Sequence, residues 1–142
     1  MKSIWKQVPS LLKLNSVRTE GLGCLLDIKV TARGKNCLFA EMPVTEKHKQ
    51  PFGIVHGGAT ATLAETLASI AAWLCVDKNT QGTVGLELNI NHLKPVKEGI
   101  LTAKATAIHV GRSTQVWQID IFNQTFSQVS SSRLTTMTIA KR

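Results

Sequence analysis

The sequence predicts an α+β fold in which one antiparallel sheet wraps around one long central helix. Residues 59–76 form a single helix-length apolar segment near the middle of the chain. After this segment, apolar and polar residues alternate as they do in strands. Because strands and helices do not alternate along the chain, a parallel sheet with crossover helices is not expected. We expect residues 1–142 to form one domain.

The chain before the central helix predicts a short lead-in and two strands. Residues 3–14 are expected to form a short amphipathic helix or turn that directs its three leucines to the core. Residues 26–30 alternate apolar and charged side chains, as in a half-buried strand. A turn is predicted at residues 33–36, Arg-Gly-Lys-Asn, and a second strand over residues 38–42 stops at the following proline.

The chain after the central helix predicts a loop and then a sheet. The loop is expected over residues 77–82. In the first strand, Leu86, Leu88 and Ile90 are expected on one face because they alternate with polar residues. The four strands are expected over residues 86–92, 100–110, 114–122 and 128–139.

The central segment predicts a buried helix that contains one carboxylate. Leucine and isoleucine recur at three- and four-residue steps, and alanines fill the turns between them. Because the segment is apolar nearly all round, we expect it to be buried, together with Glu65, its only charged residue. Burying an ionised carboxylate is costly unless it is paired or hydrogen-bonded. Glu65 is therefore a candidate catalytic residue, although a purely structural carboxylate gives the same pattern.

Glycines at the predicted helix start offer a place for an oxyanion. Gly57 and Gly58 lie where backbone N–H groups have no partner within the helix and the macrodipole is positive. His56 either orients a substrate carbonyl group or caps the helix. Ser69, one turn after Glu65, either holds the carboxylate or a water, or bonds the carbonyl group four residues earlier.

The spacing of these residues predicts an active site that two subunits share. Gly57 and Glu65 are eight residues apart in the sequence. At about 1.5 Å rise per residue they lie about 12 Å apart along one helix, too far to act on one carbonyl group. If both residues are catalytic, they come from different subunits. Two such helices around a twofold axis give two equivalent sites.

The sequence resembles the hotdog-fold thioesterases, in the PaaI-like branch that contains 1,4-dihydroxy-2-naphthoyl-CoA thioesterase and the enterobactin-pathway proofreading thioesterase. The resemblance covers most of the chain and implies a hotdog fold and a dimer or a tetramer of two dimers. The matching stretches are Lys49-Gln-Pro-Phe-Gly, His56-Gly-Gly-Ala, Leu63-Ala-Glu, Gly85-Leu-Glu-Leu-Asn, Asn91-His92, Glu98-Gly99, Gln115-Val-Trp-Gln-Ile and Ser131-Ser-Arg-Leu-Thr.

The resemblance also implies roles for single residues in catalysis. It implies that Glu65 is the base or nucleophile and that the Gly57 N–H polarises the thioester carbonyl group. It places Gln50 and His56 around that carbonyl group and Ser69 beside the attacking water.

Five further residues are candidates for substrate binding. The resemblance implies pocket-wall positions for Gly85 and His92. The turns that hold Lys94, Arg112 and Ser113 put basic and hydroxyl groups at strand ends, where they either meet the phosphates of coenzyme A or are ordinary solvated turn residues. The resemblance favours Lys94 and Arg112 as phosphate contacts.

Composition narrows the functions that are compatible with the chain. A net charge of +8 admits a nucleic-acid binder, but the basic residues are scattered, and three Trp and four Phe leave little for base stacking. An anionic coenzyme A substrate explains the same charge. A membrane span is not expected because a central Glu is costly in lipid. The N-terminus lacks the apolar core of a signal peptide, so a cytoplasmic protein is expected.

The three cysteines, Cys24, Cys37 and Cys75, lack the spacing of a zinc site and are expected to be buried.

The sequence thus predicts hydrolysis of an acyl-CoA or aryl-CoA thioester without a metal or organic cofactor. Glu65 either attacks the carbonyl carbon to give a mixed anhydride or deprotonates a water. The alternatives are a proofreading thioesterase for misacylated aryl carrier protein and a non-catalytic acyl-CoA binding module.

Overall fold

The computed structural model describes residues 3–141, which form one six-stranded antiparallel sheet and one long helix. The strand order is β1-β2-β4-β5-β6-β3, so β1 and β3 are the two edges. This arrangement confirms the predicted α+β fold. In chain order the elements are α1 (Leu11–Ser16), α2 (Leu22–Leu25), β1 (Lys29–Arg33), β2 (Cys37–Val44), α3 (Gly57–Leu74), β3 (Gln81–His92), β4 (Gly99–Val110), β5 (Thr114–Phe122) and β6 (Gln128–Ala140).

The core lies between α3 and one face of the sheet. On the helix, Leu63 and Leu67 are fully buried among alanines that let the sheet approach closely. On the sheet, every second residue of β5 is buried, including Trp117 and Ile119, which is the period of a strand with one covered face. Burying one large apolar side chain stabilises a fold by about 1.5–3 kcal/mol, so this layer holds the helix on the sheet.

The helix α3 is covered on one side only. Its buried residues recur at three- and four-residue steps, whereas Glu65 is exposed and Ser69 is half-buried on the opposite stripe. The prediction that the helix and Glu65 are buried is therefore wrong for the single chain. Alanine occupies both sides of the helix, so the residue pattern does not indicate which stripe faces the sheet.

The chain before the helix differs from its prediction at two places. In α1, Leu14 is buried but Leu12 is 82% exposed, because the helix has only six residues and turns one side to the core. The first strand is Lys29–Arg33 rather than residues 26–30, because residues 22–25 form α2.

The edge strand β3 begins at Gln81, earlier than predicted. The pairing with β6 shifts by one residue between Gly85 and Glu87, which is a β-bulge. Leu86 therefore leaves the face that Leu88 and Ile90 share, and it is 55% exposed. None of the helices among residues 3–141 is long and apolar enough to cross a membrane.

The cysteines differ in exposure, which corrects the expectation that all three are buried. Cys75 is buried, and desolvation raises the pKa of its thiol to about 12, whereas Cys24 is exposed. Because the thiolate is the reactive form, we expect the folded protein at pH 8 to react with a disulfide reagent at Cys24, and at Cys75 only after unfolding. Rapid labelling that disappears in Cys75→Ser instead of Cys24→Ser would contradict this expectation.

Candidate active site

A cavity of about 360 Å³ lies at the N-terminal end of α3. Four of the predicted site residues meet there: Gln50, Gly57, His92 and Lys94. The other residues of its wall are Ile54, Val55, Thr60, Leu93, Pro95, Val96, Leu101 and Val129. The cavity is thus mainly apolar, with a few polar groups that come from the segment before α3 and from the connection after β3.

The first turn of α3 leaves one backbone donor free at this cavity. The Gly58 N–H donates to His56 Nδ1 at 2.8 Å, and the Ala59 and Thr60 N–H groups donate to the His56 carbonyl oxygen at 2.9 and 3.3 Å. Within residues 3–141, the Gly57 N–H has no protein acceptor. The positive end of the helix macrodipole and one free N–H therefore meet at the cavity wall, an arrangement that can hold an oxyanion.

His56 is the N-cap of α3. Because its Nδ1 accepts the hydrogen bond from Gly58, the proton of the neutral ring lies on Nε2. The capping role weighed from the sequence is therefore observed, and the helix begins at Gly57, where the glycines were expected to start it.

His48 positions the segment that leads into the helix, a role that the sequence analysis did not predict. Its ring is fully buried, with Nδ1 at 3.1 Å from the Thr45 N and Nε2 at 2.9 Å from the Leu26 carbonyl oxygen. The His48 carbonyl oxygen accepts from the His56 N–H at 2.8 Å. A histidine inside a polar segment carries no periodic signal of burial, although the Thr-x-x-His spacing of a capping box was present.

Gln50 lies in a tight turn at the cavity wall. Its backbone N–H donates to the Ile54 carbonyl oxygen at 2.9 Å, and its carbonyl oxygen accepts from the Gly53 N–H at 2.9 Å. The side-chain oxygen accepts from the Phe52 N–H. The side-chain NH₂ group remains as a donor that can reach a carbonyl oxygen in the cavity.

Glu65 lies against β3 and not against the cavity. A Cβ atom added to Gly85 would lie 2.7 Å from Glu65 Oε1, so the glycine makes room for the carboxylate beside the bulge. Neither ion pair formed within residues 3–141 includes Glu65. In the same range, the Ser69 hydroxyl forms no hydrogen bond to the carbonyl group four residues earlier, so the structural alternative for Ser69 is not observed.

The remaining predicted residues lie on the same side as Glu65. Gly85 of β3 pairs with Thr136 of β6, and Thr136 pairs in turn with Gln115 near the start of β5. The turn that holds Arg112 and Ser113 precedes β5, and both residues are exposed. One chain therefore separates its predicted site residues into a cavity group and a Glu65 group, about 12 Å apart along α3. No set of three or more metal-binding side chains is found in the described part of the chain.

Comparison with known proteins gives matches over most of the chain. Residues 52–129 match the family model described as thioesterase superfamily. The 1,4-dihydroxy-2-naphthoyl-CoA hydrolase of Escherichia coli is 42% identical over 133 residues, which are 94% of this chain and 97% of that protein.

Two solved structures are similar over almost their whole length. A mutant thioesterase from Pseudomonas aeruginosa has a TM-score of 0.95 and 42% identity, covering 98% of this chain and 100% of that one. A thioesterase from Haemophilus influenzae has a TM-score of 0.93 and 42% identity, covering 96% of this chain and 95% of that one. These similarities confirm the hotdog fold that the sequence resemblance implied.

Proposed function

Since the chain belongs to the thioesterase superfamily and is a thioester hydrolase, we propose that its substrate is an aryl-CoA or acyl-CoA thioester. The observation that carries the proposal is the free Gly57 N–H at the wall of the cavity. The first candidate substrate of this protein is 1,4-dihydroxy-2-naphthoyl-CoA, the substrate in the name of the Escherichia coli relative. The net charge of +8 suits an anionic coenzyme A substrate.

The active site of this proposal combines two copies of the chain. In one copy, Gly57 lies at the cavity, whereas Glu65 lies on the uncovered stripe of α3 beside the edge strand. That edge strand, β3, has twelve residues and exposes Val84 and Leu86. A long exposed edge of this kind readily pairs with another chain. Pairing of two β3 strands around a twofold axis brings the two uncovered stripes together, with Glu65 of one copy facing Gly57 of the other.

The chemistry follows from what these groups do at the carbonyl carbon. The Gly57 N–H and the helix macrodipole stabilise the oxyanion that develops on the thioester carbonyl oxygen, and loss of one such donor typically costs about 3–4 kcal/mol. In this proposal the Gln50 side-chain NH₂ donates to the same oxygen. Attack on the carbonyl carbon forms a tetrahedral intermediate, which collapses with cleavage of the carbon–sulfur bond. Coenzyme A leaves as a thiolate and takes up a proton from the solvent.

Glu65 of the second copy can act as the nucleophile or as the general base. Its carboxylate oxygen attacks the carbonyl carbon, and water hydrolyses the resulting mixed anhydride. Alternatively, the carboxylate takes a proton from a water beside Ser69, and that water attacks. Both routes give the free acid and coenzyme A, and neither route uses another side chain as the base.

Steady-state assays with four substrates test the proposal. We expect hydrolysis of dihydroxynaphthoyl-CoA with a higher kcat/KM than benzoyl-CoA or a medium-chain acyl-CoA, measured by thiol release. A misacylated aryl carrier protein is the fourth substrate and tests the proofreading alternative. Activity on the carrier protein alone would replace the proposed substrate class, and hydrolysis of none of the four would refute the proposal.

A further inference from the structure

Phe126 has two properties that the fold does not explain. Its φ angle is 60°, in the left-handed region where a bulky side chain is strained. Glycine or asparagine is usual at such a turn position. The Phe126 side chain is also 87% exposed, so it contributes little packing that would offset the strain. Strain of this kind at an exposed aromatic residue indicates a role outside folding.

The loop between β5 and β6 holds Phe126 in a fixed place. Asn123 Oδ1 accepts hydrogen bonds from the Thr125 N–H at 3.1 Å, the Thr125 hydroxyl at 2.9 Å and the Ser127 N–H at 3.0 Å. The Phe126 N–H donates to the Asn123 carbonyl oxygen at 2.9 Å. The loop therefore presents the ring from a rigid base.

This loop borders the cavity at Gly57. The Lys94 Nζ donates to the Ser127 hydroxyl at 3.4 Å. The Leu93 and Lys94 N–H groups both donate to the Val129 carbonyl oxygen, at 2.8 and 3.3 Å. Leu93, Lys94 and Val129 all line the cavity. Phe126 is thus one residue away from the hydroxyl that the Lys94 ammonium group contacts, at the rim of the cavity.

We propose that Phe126 stacks on the adenine base of coenzyme A while Lys94 contacts its phosphates. An aromatic ring on a loop whose next residue contacts an ammonium group fits a ligand that carries a planar base next to phosphates, because stacking on aromatic side chains is a general mode of base recognition. This inference rests on the proposed function, since it takes a coenzyme A thioester as the substrate. It assigns Phe126 to binding of the nucleotide end and gives it no part in the chemical step.

Kinetics with a substrate and its shortened form test the assignment. Phe126→Asn and Phe126→Gly remove the ring and tolerate the left-handed backbone, whereas Phe126→Tyr keeps a ring. For the best CoA thioester we expect the first two variants to raise KM about fivefold or more, the low range for base stacking, with kcat unchanged. With the same acyl group on pantetheine, which lacks the nucleotide, we expect no change. We expect Phe126→Tyr to keep the wild-type KM.

Several results would overturn the assignment. An unchanged KM for the CoA thioester would do so, and so would an equal rise for the CoA and pantetheine thioesters. A loss confined to carrier-protein substrates would make Phe126 a protein contact instead. If the wild type hydrolyses no thioester, the proposed function fails, but calorimetry with adenosine 3′,5′-bisphosphate still decides this inference. Weaker binding to Phe126→Asn than to the wild type supports it, and equal binding overturns it.

Discussion

Replacing Glu65 by glutamine is expected to lower the turnover of the best CoA thioester at least about a hundredfold, as for loss of a general base. Glutamine has nearly the same size and hydrogen-bonding reach, but it neither accepts a proton nor attacks a carbonyl carbon. Glu65 is exposed in the single chain and forms no ion pair within the described residues. We therefore expect the thermal unfolding midpoint of Glu65→Gln to stay close to that of the wild type.

Glu87→Gln is the matched control for this experiment. Glu87 is also exposed and lies two residues from Gly85, and among residues 3–141 its carboxylate accepts only from the Asn89 side chain. We expect Glu87→Gln to keep the wild-type turnover. A folded Glu65→Gln variant as active as this control would remove Glu65 from the mechanism.

The second large effect is expected from Gly57→Ala. A Cβ atom at this position would lie 2.8 Å from Nε2 of the His92 ring, so the ring must move and the methyl group occupies the space beside the free N–H. Since His92 is exposed, its side chain can yield at small cost to stability. Blocking one oxyanion donor is expected to lower kcat by about a hundredfold to a thousandfold.

Gly82→Ala is the corresponding control, because it adds the same methyl group outside the cavity. A Cβ atom there lies 3.6 Å from the Ile139 side chain, an ordinary contact. We expect it to leave kcat unchanged. If Gly57→Ala retains wild-type kcat while remaining folded, the Gly57 N–H does not stabilise the oxyanion. Circular dichroism of both variants checks that the comparison is made between folded proteins.

The parts of the fold that were predictable from the sequence are those with an uninterrupted pattern. The strand β5 matches its predicted range because apolar and polar residues alternate from Trp117 to Ile121 and turn residues bound the strand on both sides. The strand β3 does not, because the bulge beside Gly85 changes the face of the following residues. A bulge depends on the partner strand, which the local sequence does not specify.

The parts of the site that were predictable are those where the residue types and their spacing in the sequence indicate the same chemistry. The His-Gly-Gly stretch marked the helix start, and the separation of Gly57 from Glu65 predicted that one chain keeps them apart. The exposure of Glu65 was not predictable, because it depends on which stripe of an alanine-rich helix the sheet covers. The contributions of His48 and Phe126 depend on hydrogen bonds and a backbone angle that only the folded chain shows.

Mixing two inactive variants tests the central claim, that each active site combines Gly57 of one copy with Glu65 of another. Glu65→Gln and Gly57→Ala, carrying different affinity tags, are co-expressed, and assemblies that contain both are isolated by tandem purification. In a mixed dimer one site regains both wild-type residues and the other carries both substitutions. We therefore expect about half of the wild-type kcat per dimer. Activity no higher than the mean of the two parent variants would show that both residues act within one chain, and would contradict the shared site.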